Sequence, residues 1–169
     1  MQRTIMIFPQ FDNIDVINSI RDKYDPLAKL VKPHITLVFP FDSEITNEQL
    51  EVALNSCVKE PPFEIVMHGF SKQMDRFGNY LFLDMEKEND IVESLHNRLY
   101  KECFKTYNLG LPYKPHITVG KLGNIQELNK AFEAVSRIDD KFITVIDKIS
   151  VEMIGKNQES IIVIEKKLL

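Results

Sequence analysis

The sequence predicts an α+β domain in which two pseudo-symmetric lobes of antiparallel sheet, with outer helices, flank a central cleft. Three observations indicate this fold. Helix-like and strand-like segments alternate along the 169 residues, two pairs of strands have the pattern of hairpins, and one pentapeptide, Lys-Pro-His-Ile-Thr, occurs at both Lys32–Thr36 and Lys114–Thr118. Helices mixed with antiparallel strand pairs are typical of the α+β class. A chain of this length is expected to form one bilobal domain, residues 1–169, with the two repeat strands lining the cleft.

The apolar pattern of the first half of the chain predicts a strand, a helix, a second strand and a second helix: Thr4–Phe8, Asn13–Tyr24, His34–Phe39 and Thr46–Val58. Asp12 is expected to cap the first helix, and Thr46 with Gln49 is close to a capping box for the second. Pro40 is expected to end the strand that begins at the first repeat.

The second half predicts a hairpin, a helix, the second repeat strand, another helix and a final strand pair: Phe63–Met74 with Tyr80–Met85, Ile91–Phe104, His116–Val119, Gln126–Val135, and Phe142–Ile154 with Ser160–Leu168. The turn of the first hairpin contains Gly78. Within the long helix, Val92, Leu95, Leu99 and Cys103 recur at helical spacing and predict one buried stripe.

The overall charge and the cysteine content narrow the class of protein. A net charge of −4 argues against a general duplex-binding protein, although it leaves room for a short nucleic-acid substrate. Cys57 and Cys103 show no zinc-binding or CxxC spacing, which predicts two reduced, buried thiols. The first apolar run is too short for a signal peptide and no run reaches membrane-spanning length, so we expect a cytoplasmic protein without a membrane partner.

The repeated pentapeptide is the strongest functional signal in the chain. Side chains two positions apart lie on the same face of a strand, so each copy presents one imidazole beside one hydroxyl. A duplicated turn without chemistry would account for Pro33 and Pro115, which favour an extended entry into each strand. It does not account for a His and a Thr together on the other face, which favours a functional site.

The motifs His34-Ile35-Thr36-Leu37 and His116-Ile117-Thr118-Val119 resemble the paired His-x-Thr-x signature of the 2H phosphoesterase superfamily. The flanking sequence is similar to its bacterial 2′-5′ RNA ligase-like, or cyclic nucleotide phosphodiesterase, branch. The resemblance extends over nearly the whole chain in length, motif spacing and order of elements. It implies hydrolysis or transfer at a phosphodiester without a metal or other cofactor, often at a 2′,3′-cyclic phosphate. It also implies that His34 and His116 are catalytic and that Thr36 and Thr118 position the phosphate.

The chemistry of a cyclic phosphate is consistent with these residue types. Opening the ring requires one group to take a proton from water and another to give a proton to the departing sugar oxygen. Two imidazoles can do both near neutral pH, because the usual pKa of histidine is about 6.5. The hydroxyls of Thr36 and Thr118 can donate to the non-bridging phosphate oxygens. The sequence leaves open which of His34 and His116 is the acid and which is the base.

Basic residues near the motifs provide further candidates for phosphate contacts. Strict alternation turns Lys121 away from the face that carries His116, but a bulge at Gly120 would return it to that face. We therefore expect Lys121 to be a substrate-binding residue, with a solvated strand-end lysine as the alternative. Lys32 and Lys114 would form a positive rim, or they are solvated turn residues.

Several other residues have alternative interpretations. A base-stacking surface could draw on four aromatic residues, although most aromatics in strands are core: Phe8, Phe39, Phe41 and Tyr113. His68 and His96 have no threonine partner and are expected to be structural or exposed. A zinc site needs a third or fourth ligand, and only Asp42 follows a motif closely, so we expect no metal.

Three functional hypotheses follow. The first is an enzyme that acts on RNA ends or nucleotide phosphodiesters through its two histidines. The second is a binding module that holds the same ligands without turnover, and the third is an inert duplicated fold. Two titrating groups are not needed for binding alone, which favours the enzyme. The oligomeric state is open, with a monomer favoured.

Overall fold

In the computed structural model, which describes residues 1–86 and 90–169, eight strands form two antiparallel sheets. The strands are β1 Gln2–Ile7, β2 Ile35–Asp42, β3 Phe63–Asp75, β4 Gly78–Met85, β5 His116–Leu122, β6 Phe142–Ile146, β7 Lys148–Ile154 and β8 Ser160–Lys167. The α-helices are α1 Ile14–Tyr24, α2 Asn47–Cys57, α3 Ile91–Arg98 and α4 Ile125–Val135. A π-helical turn, Leu99–Cys103, and a 3₁₀ turn, Lys105–Tyr107, follow α3.

Each sheet and its helices form one lobe. Lobe 1 has the strand order β2-β1-β7-β8, and α2 and α3 pack on it. Lobe 2 has the order β5-β4-β3-β6, and α1 and α4 pack on it. The chain crosses between the lobes, because α1 follows a strand of lobe 1 but covers lobe 2. The predicted α+β class, with two antiparallel sheets and outer helices, is confirmed.

The two repeat strands lie side by side at the junction of the lobes. β2 is an edge strand of lobe 1 and β5 is an edge strand of lobe 2, and the two edges face each other. Ile35 and Ile117, the central residues of the two motifs, are fully buried in the core. Because side chains alternate along a strand, burying both isoleucines turns the His and Thr side chains away from the core.

Two predicted strand boundaries are wrong. Pro40 does not end β2, which continues to Asp42, because an edge strand tolerates a residue without an N–H. The predicted strand Phe142–Ile154 is two strands, separated at Asp147. β6 pairs with β3 in lobe 2, whereas β7 pairs with β1 and β8 in lobe 1. Asp147, a residue type favoured in turns and depleted in strands, is a weak signal for this crossing.

The predicted helices occur, with differences at their ends. α1 begins after Asn13 rather than with a cap from Asp12, and the Asn13 side chain donates to the carbonyl of Lys141 at 3.1 Å. The capping box of Thr46 and Gln49 is confirmed. The helix predicted over Ile91–Phe104 is α-helical only to Arg98 and then widens into the π-helical turn. No α-helix in the described ranges is long and apolar enough to cross a membrane.

The expectation of two reduced thiols is wrong. Cys57 ends α2 and Cys103 ends the π-helical turn, and the structure joins them in a disulfide with a Cα–Cα distance of 7.0 Å. The two residues are 46 positions apart in the sequence. Their pairing depends on how α2 packs against the turn after α3, which sequence spacing does not reveal.

Candidate active site

Both motif histidines are held by the same local hydrogen bond. Nδ1 of His34 lies 2.7 Å from the carbonyl oxygen of Lys32, and Nδ1 of His116 lies 2.7 Å from that of Lys114. A carbonyl oxygen can only accept, so Nδ1 carries the proton in each ring. The proline between each pair restricts the backbone that makes this contact. The second nitrogen, Nε2, is left to accept a proton or to donate one after protonation.

The two imidazoles are close enough to interact electrostatically. Both side chains are half-buried, and burial is the main cause that lowers the pKa of each ring. The backbone hydrogen bond acts in the opposite direction and raises each pKa, while a charge on His34 further lowers the pKa of His116. The structure thus brings the two repeats, from opposite halves of the chain, into one paired-histidine site, formed by His34, Thr36, His116 and Thr118.

Thr36 and Thr118 accompany the histidines on their strands. Both are half-buried, and neither hydroxyl hydrogen-bonds to another group in the described part of the chain. β-Branching restricts the rotamers of each side chain, which limits where its hydroxyl can point. Within residues 1–86 and 90–169, these two hydroxyls therefore keep their capacity to donate a hydrogen bond.

The neighbours of His116 belong to β4. Phe82 stacks on the imidazole, with ring centroids 3.7 Å apart and planes at 24°. Asp84 lies directly opposite His116 in the strand pairing. Its carboxylate accepts a hydrogen bond from Ser71 Oγ at 2.9 Å and lies 3.3 Å from Nζ of Lys114. Of the neighbouring charges, that of Asp84 has the largest effect on the pKa of His116, and it raises that pKa.

The neighbours of His34 are different. The ring of Phe8 is tilted, with its centroid 6.0 Å away. A buried ion pair at the C-terminal end of α1, Arg21 Nε to Asp25 Oδ2 at 2.8 Å, acts on His34 through space. Arg21 has the larger charge effect and lowers the pKa of His34, while Asp25 raises it. The strongest charge effect on the pKa of His34 therefore comes from a cation, and the strongest charge effect on the pKa of His116 comes from an anion.

The bulge considered for Lys121 is present. β5 pairs Thr118 with Phe82 and Gly120 with Leu81, so one residue is skipped between them. Lys121 consequently lies opposite Tyr80, which is two positions from Phe82 and shares its face. The ammonium of Lys121 lies 5.6 Å from the centroid of the Tyr80 ring. This geometry returns Lys121 to the face of His116, and its contact with substrate stays a prediction.

Gly120 is required by close packing next to the bulge. A Cβ at this position would come within 2.9 Å of Tyr24 Cβ and 3.2 Å of Leu81 Cβ. Neither of those atoms is the flexible end of a side chain. The missing side chain therefore lets α1 approach β5 closely.

The other candidate residues have varied surroundings. Of the four aromatic candidates, Phe41 is buried against Phe104 and Tyr107, and Phe8 lies beside His34. Lys114 is paired with Asp84, while Lys32 is exposed.

His68 and His96 lie outside the paired-histidine site. Nε2 of His68 lies 2.9 Å from Asp139 Oδ1, and Nδ1 lies 3.6 Å from Glu86 Oε1. His96 is buried, with 6% of its surface exposed. Among the described residues, no three His, Cys, Asp or Glu side chains form a group that could hold a metal ion.

The sequence does not reveal that residues of β4 are neighbours of His116. Tyr80, Phe82 and Asp84 alternate along that strand, a pattern that places them on one face. Only the register between β4 and β5, however, shows that this face is the one carrying His116. The effect of Arg21 depends on α1 packing across the lobe junction and leaves no signal near the motif.

Comparisons with known proteins agree with this architecture. The model of the 2′-5′ RNA ligase superfamily matches residues 8–152. A Geobacillus kaustophilus protein named "Putative phosphoesterase" is 34% identical over 126 residues, which cover 72% of this chain and 69% of the relative. The crystal structure of TT0787 from Thermus thermophilus has a TM-score of 0.65 and 14% identity, with 99% of this chain and 98% of that chain covered. Escherichia coli LigT complexed with 3′-AMP has a TM-score of 0.65 and 13% identity, with coverage of 99% and 97%.

Proposed function

This chain belongs to the 2′-5′ RNA ligase superfamily, and on that premise we propose that it hydrolyses 2′,3′-cyclic phosphates or 2′-5′ phosphodiester bonds in RNA ends or nucleotides, without a metal ion. The family and the named relatives indicate a phosphoesterase of the 2H type. The observation that carries the finer proposal is the pair of imidazoles, each with Nδ1 held by a carbonyl and Nε2 left for proton transfer.

The proposed reaction is an in-line attack of water on phosphorus. One Nε2 accepts a proton from the water as its oxygen forms the new bond to phosphorus. The other imidazole, protonated beforehand, donates its Nε2 proton to the 2′ or 3′ oxygen as that P–O bond breaks. The product is a phosphomonoester with a free hydroxyl, and the two histidines exchange protonation states.

The surroundings favour a particular division of roles. Asp84 favours the charged form of His116, so His116 is assigned as the general acid. Arg21 disfavours the charged form of His34, so His34 is assigned as the general base. Burial lowers the pKa of both rings, so this assignment rests on the opposite signs of their strongest charge effects.

The phosphate group requires donors for the charge that develops in the transition state. The hydroxyls of Thr36 and Thr118, which have no hydrogen-bond partner among residues 1–86 and 90–169, are assigned to the non-bridging oxygens, where a fixed donor is worth most. Lys121 is assigned a weaker, electrostatic contribution from the same face of β5. The nucleotide or RNA character of the substrate is supported by the complex of the E. coli structural neighbour with 3′-AMP.

The test is hydrolysis of the four 2′,3′-cyclic nucleotides, short RNAs ending in a cyclic phosphate, and 2′-5′ dinucleotides, all with EDTA present. The wild type is compared with His34→Ala, His116→Ala and the control His68→Ala, which removes a histidine outside the site. We expect turnover in the wild type and the control, and turnover at least about 100-fold slower in the other two variants.

Three other outcomes would contradict the proposal. Turnover that EDTA abolishes would contradict metal independence. Full activity in His34→Ala and His116→Ala would contradict the site. Binding of nucleotides to the wild type without turnover of any substrate would replace the enzyme with the binding module.

A further inference from the structure

Three aromatic side chains hydrogen-bond to the outer edge of β2, where no other strand of the described ranges pairs. Tyr113 Oη donates to the carbonyl of Thr36 at 2.7 Å, and His96 Nδ1 donates to the carbonyl of Leu37 at 2.7 Å. The amide of Phe39 donates to Tyr100 Oη at 3.0 Å. The strand that carries the first motif is therefore fixed on its open side by side chains.

A bulge explains why two successive carbonyls need such partners. β1 pairs Met6 with Thr36 and Ile5 with Val38, and the pairing skips Leu37. A bulge leaves the extra residue outside the ladder and reorients its peptide groups. Because buried carbonyls without a partner are costly, the donors Tyr113 and His96 stabilise the bulge.

Tyr113 differs from the other two because it connects the two motifs. His96 belongs to α3 and Tyr100 to the π-helical turn after it. Both elements contact β2, which is in lobe 1, so these two residues and the strand they bond belong to the same lobe. Tyr113, in contrast, lies three residues before His116, in the segment that enters β5 of lobe 2. Pro112 and Pro115 flank this segment and restrict its backbone, so the position of the Tyr113 ring constrains that of His116.

The surroundings of Tyr113 hold it in place as a hydrogen-bond donor. Its ring stacks on His96 with centroids 3.5 Å apart and planes at 4°, and the edge of Phe39 meets it at 6.5 Å. Burial raises the pKa of the Tyr113 phenol, and burial lowers the pKa of His96. Both groups therefore stay uncharged near neutral pH, and each keeps the proton that it donates to β2.

We propose that Tyr113 is a positioning residue whose hydroxyl clamps the first motif strand to the second motif and so sets the relation of His34 to His116. This inference rests on the proposed function, since it concerns the reaction of that site. In-line transfer needs both imidazoles at fixed positions around one phosphorus. A misplacement of about 1 Å in such an arrangement can cost about 100-fold in rate.

The test compares Tyr113→Phe with Tyr100→Phe on a 2′,3′-cyclic nucleotide. Each change removes one hydroxyl and one hydrogen bond to β2 and keeps its aromatic ring, but only Tyr113 connects the lobes. We expect kcat of Tyr113→Phe to fall about 10- to 100-fold with KM changed less than about 3-fold, since alignment affects the transition state more than ground-state binding. Tyr100→Phe should lose a similar amount of thermal stability and keep kcat within about 3-fold.

A second measurement does not depend on turnover. Long-range ¹H–¹⁵N spectra report the environment of each imidazole, and Tyr113→Phe should shift the signals of both His34 and His116, while Tyr100→Phe should leave them in place. Equal kcat values for the two variants, with unchanged imidazole signals, would overturn the clamp. If the wild type turns over no cyclic phosphate, the proposed function fails, whereas the spectra still decide whether Tyr113 joins the motifs.

Discussion

The two copies of the pentapeptide are alike in what they contain and different in what surrounds them. Both place Nδ1 of a histidine 2.7 Å from the carbonyl two residues earlier. The second copy lies opposite Asp84 and its imidazole stacks on Phe82, whereas the charges of Arg21 and Asp25 act on the histidine of the first copy. The repeated residues thus supply two equivalent reactive groups, and neighbours that are not repeated make the two groups different.

The proposed division of roles predicts that the largest loss follows removal of either imidazole. General acid–base catalysis contributes about 10²–10⁴-fold, so His34→Ala and His116→Ala should each lower kcat by roughly that factor. Groups that act in one step are not additive, and the double variant should therefore be little slower than the single ones. Steady-state kinetics and thermal unfolding of the three variants provide the check. Losses that multiply in the double variant would mean that the two copies act in separate steps.

Replacement of either threonine should lower activity less than replacement of a histidine, and the two threonine variants should resemble each other in activity. Thr36→Val and Thr118→Val keep the β-branched shape and remove only the hydroxyl. By analogy with the loss of one oxyanion donor, each should raise the activation free energy by about 2–4 kcal/mol. The measurement is kcat/KM for each variant, with Thr144→Val, whose hydroxyl instead donates to the carbonyl of Gln10, as a control for a lost hydroxyl elsewhere. An effect no larger than that of the control would remove that threonine from the site.

The bulge in β5 places Lys121 on the face of His116 and so makes the two motifs different. Replacement of Lys121 should lower activity less than replacement of a histidine or a threonine of the motifs. Lys121→Met keeps a long apolar side chain and removes the charge. An exposed charge near a phosphate contributes about 1 kcal/mol or less, so KM should rise about 3- to 5-fold with kcat nearly unchanged. The matched variant is Lys32→Met, an exposed lysine at the entry of the first motif. Identical KM values in Lys121→Met and the wild type, from low to high salt, would favour the solvated strand-end lysine.

The sequence was sufficient to predict the reactive groups but not their differences. The His-x-Thr pairs are local, since two positions along a strand decide that the side chains share a face. The contribution of Asp84 depends on the register of β4 against β5, and that of Tyr113 depends on a contact between lobes. No sequence pattern near the motifs encodes either relation.

The larger errors in the predicted fold also arise from contacts between segments that are distant in the sequence. The run Phe142–Ile154 has strong β formers on both sides of Asp147, and Asp147 alone does not reveal that the two parts belong to different sheets. The disulfide of Cys57 and Cys103 likewise depends on the packing of two helical segments. Helices with local signals, such as the capping box at Thr46, were predicted correctly because their determinants lie within four residues.

The measurement that tests the central proposal most directly is the pH dependence of kcat/KM in the wild type and in Asp84→Asn. The carboxylate of Asp84 raises the pKa of His116 by favouring its protonated form, so the amide should lower that pKa while it can still accept from Ser71. If His116 is the general acid, activity is lost on the alkaline side as His116 deprotonates, and the alkaline limb should move to lower pH while the acidic limb stays in place. Movement of the acidic limb alone would make His116 the base and contradict the assignment, and an unchanged profile would show that Asp84 does not distinguish the two motifs.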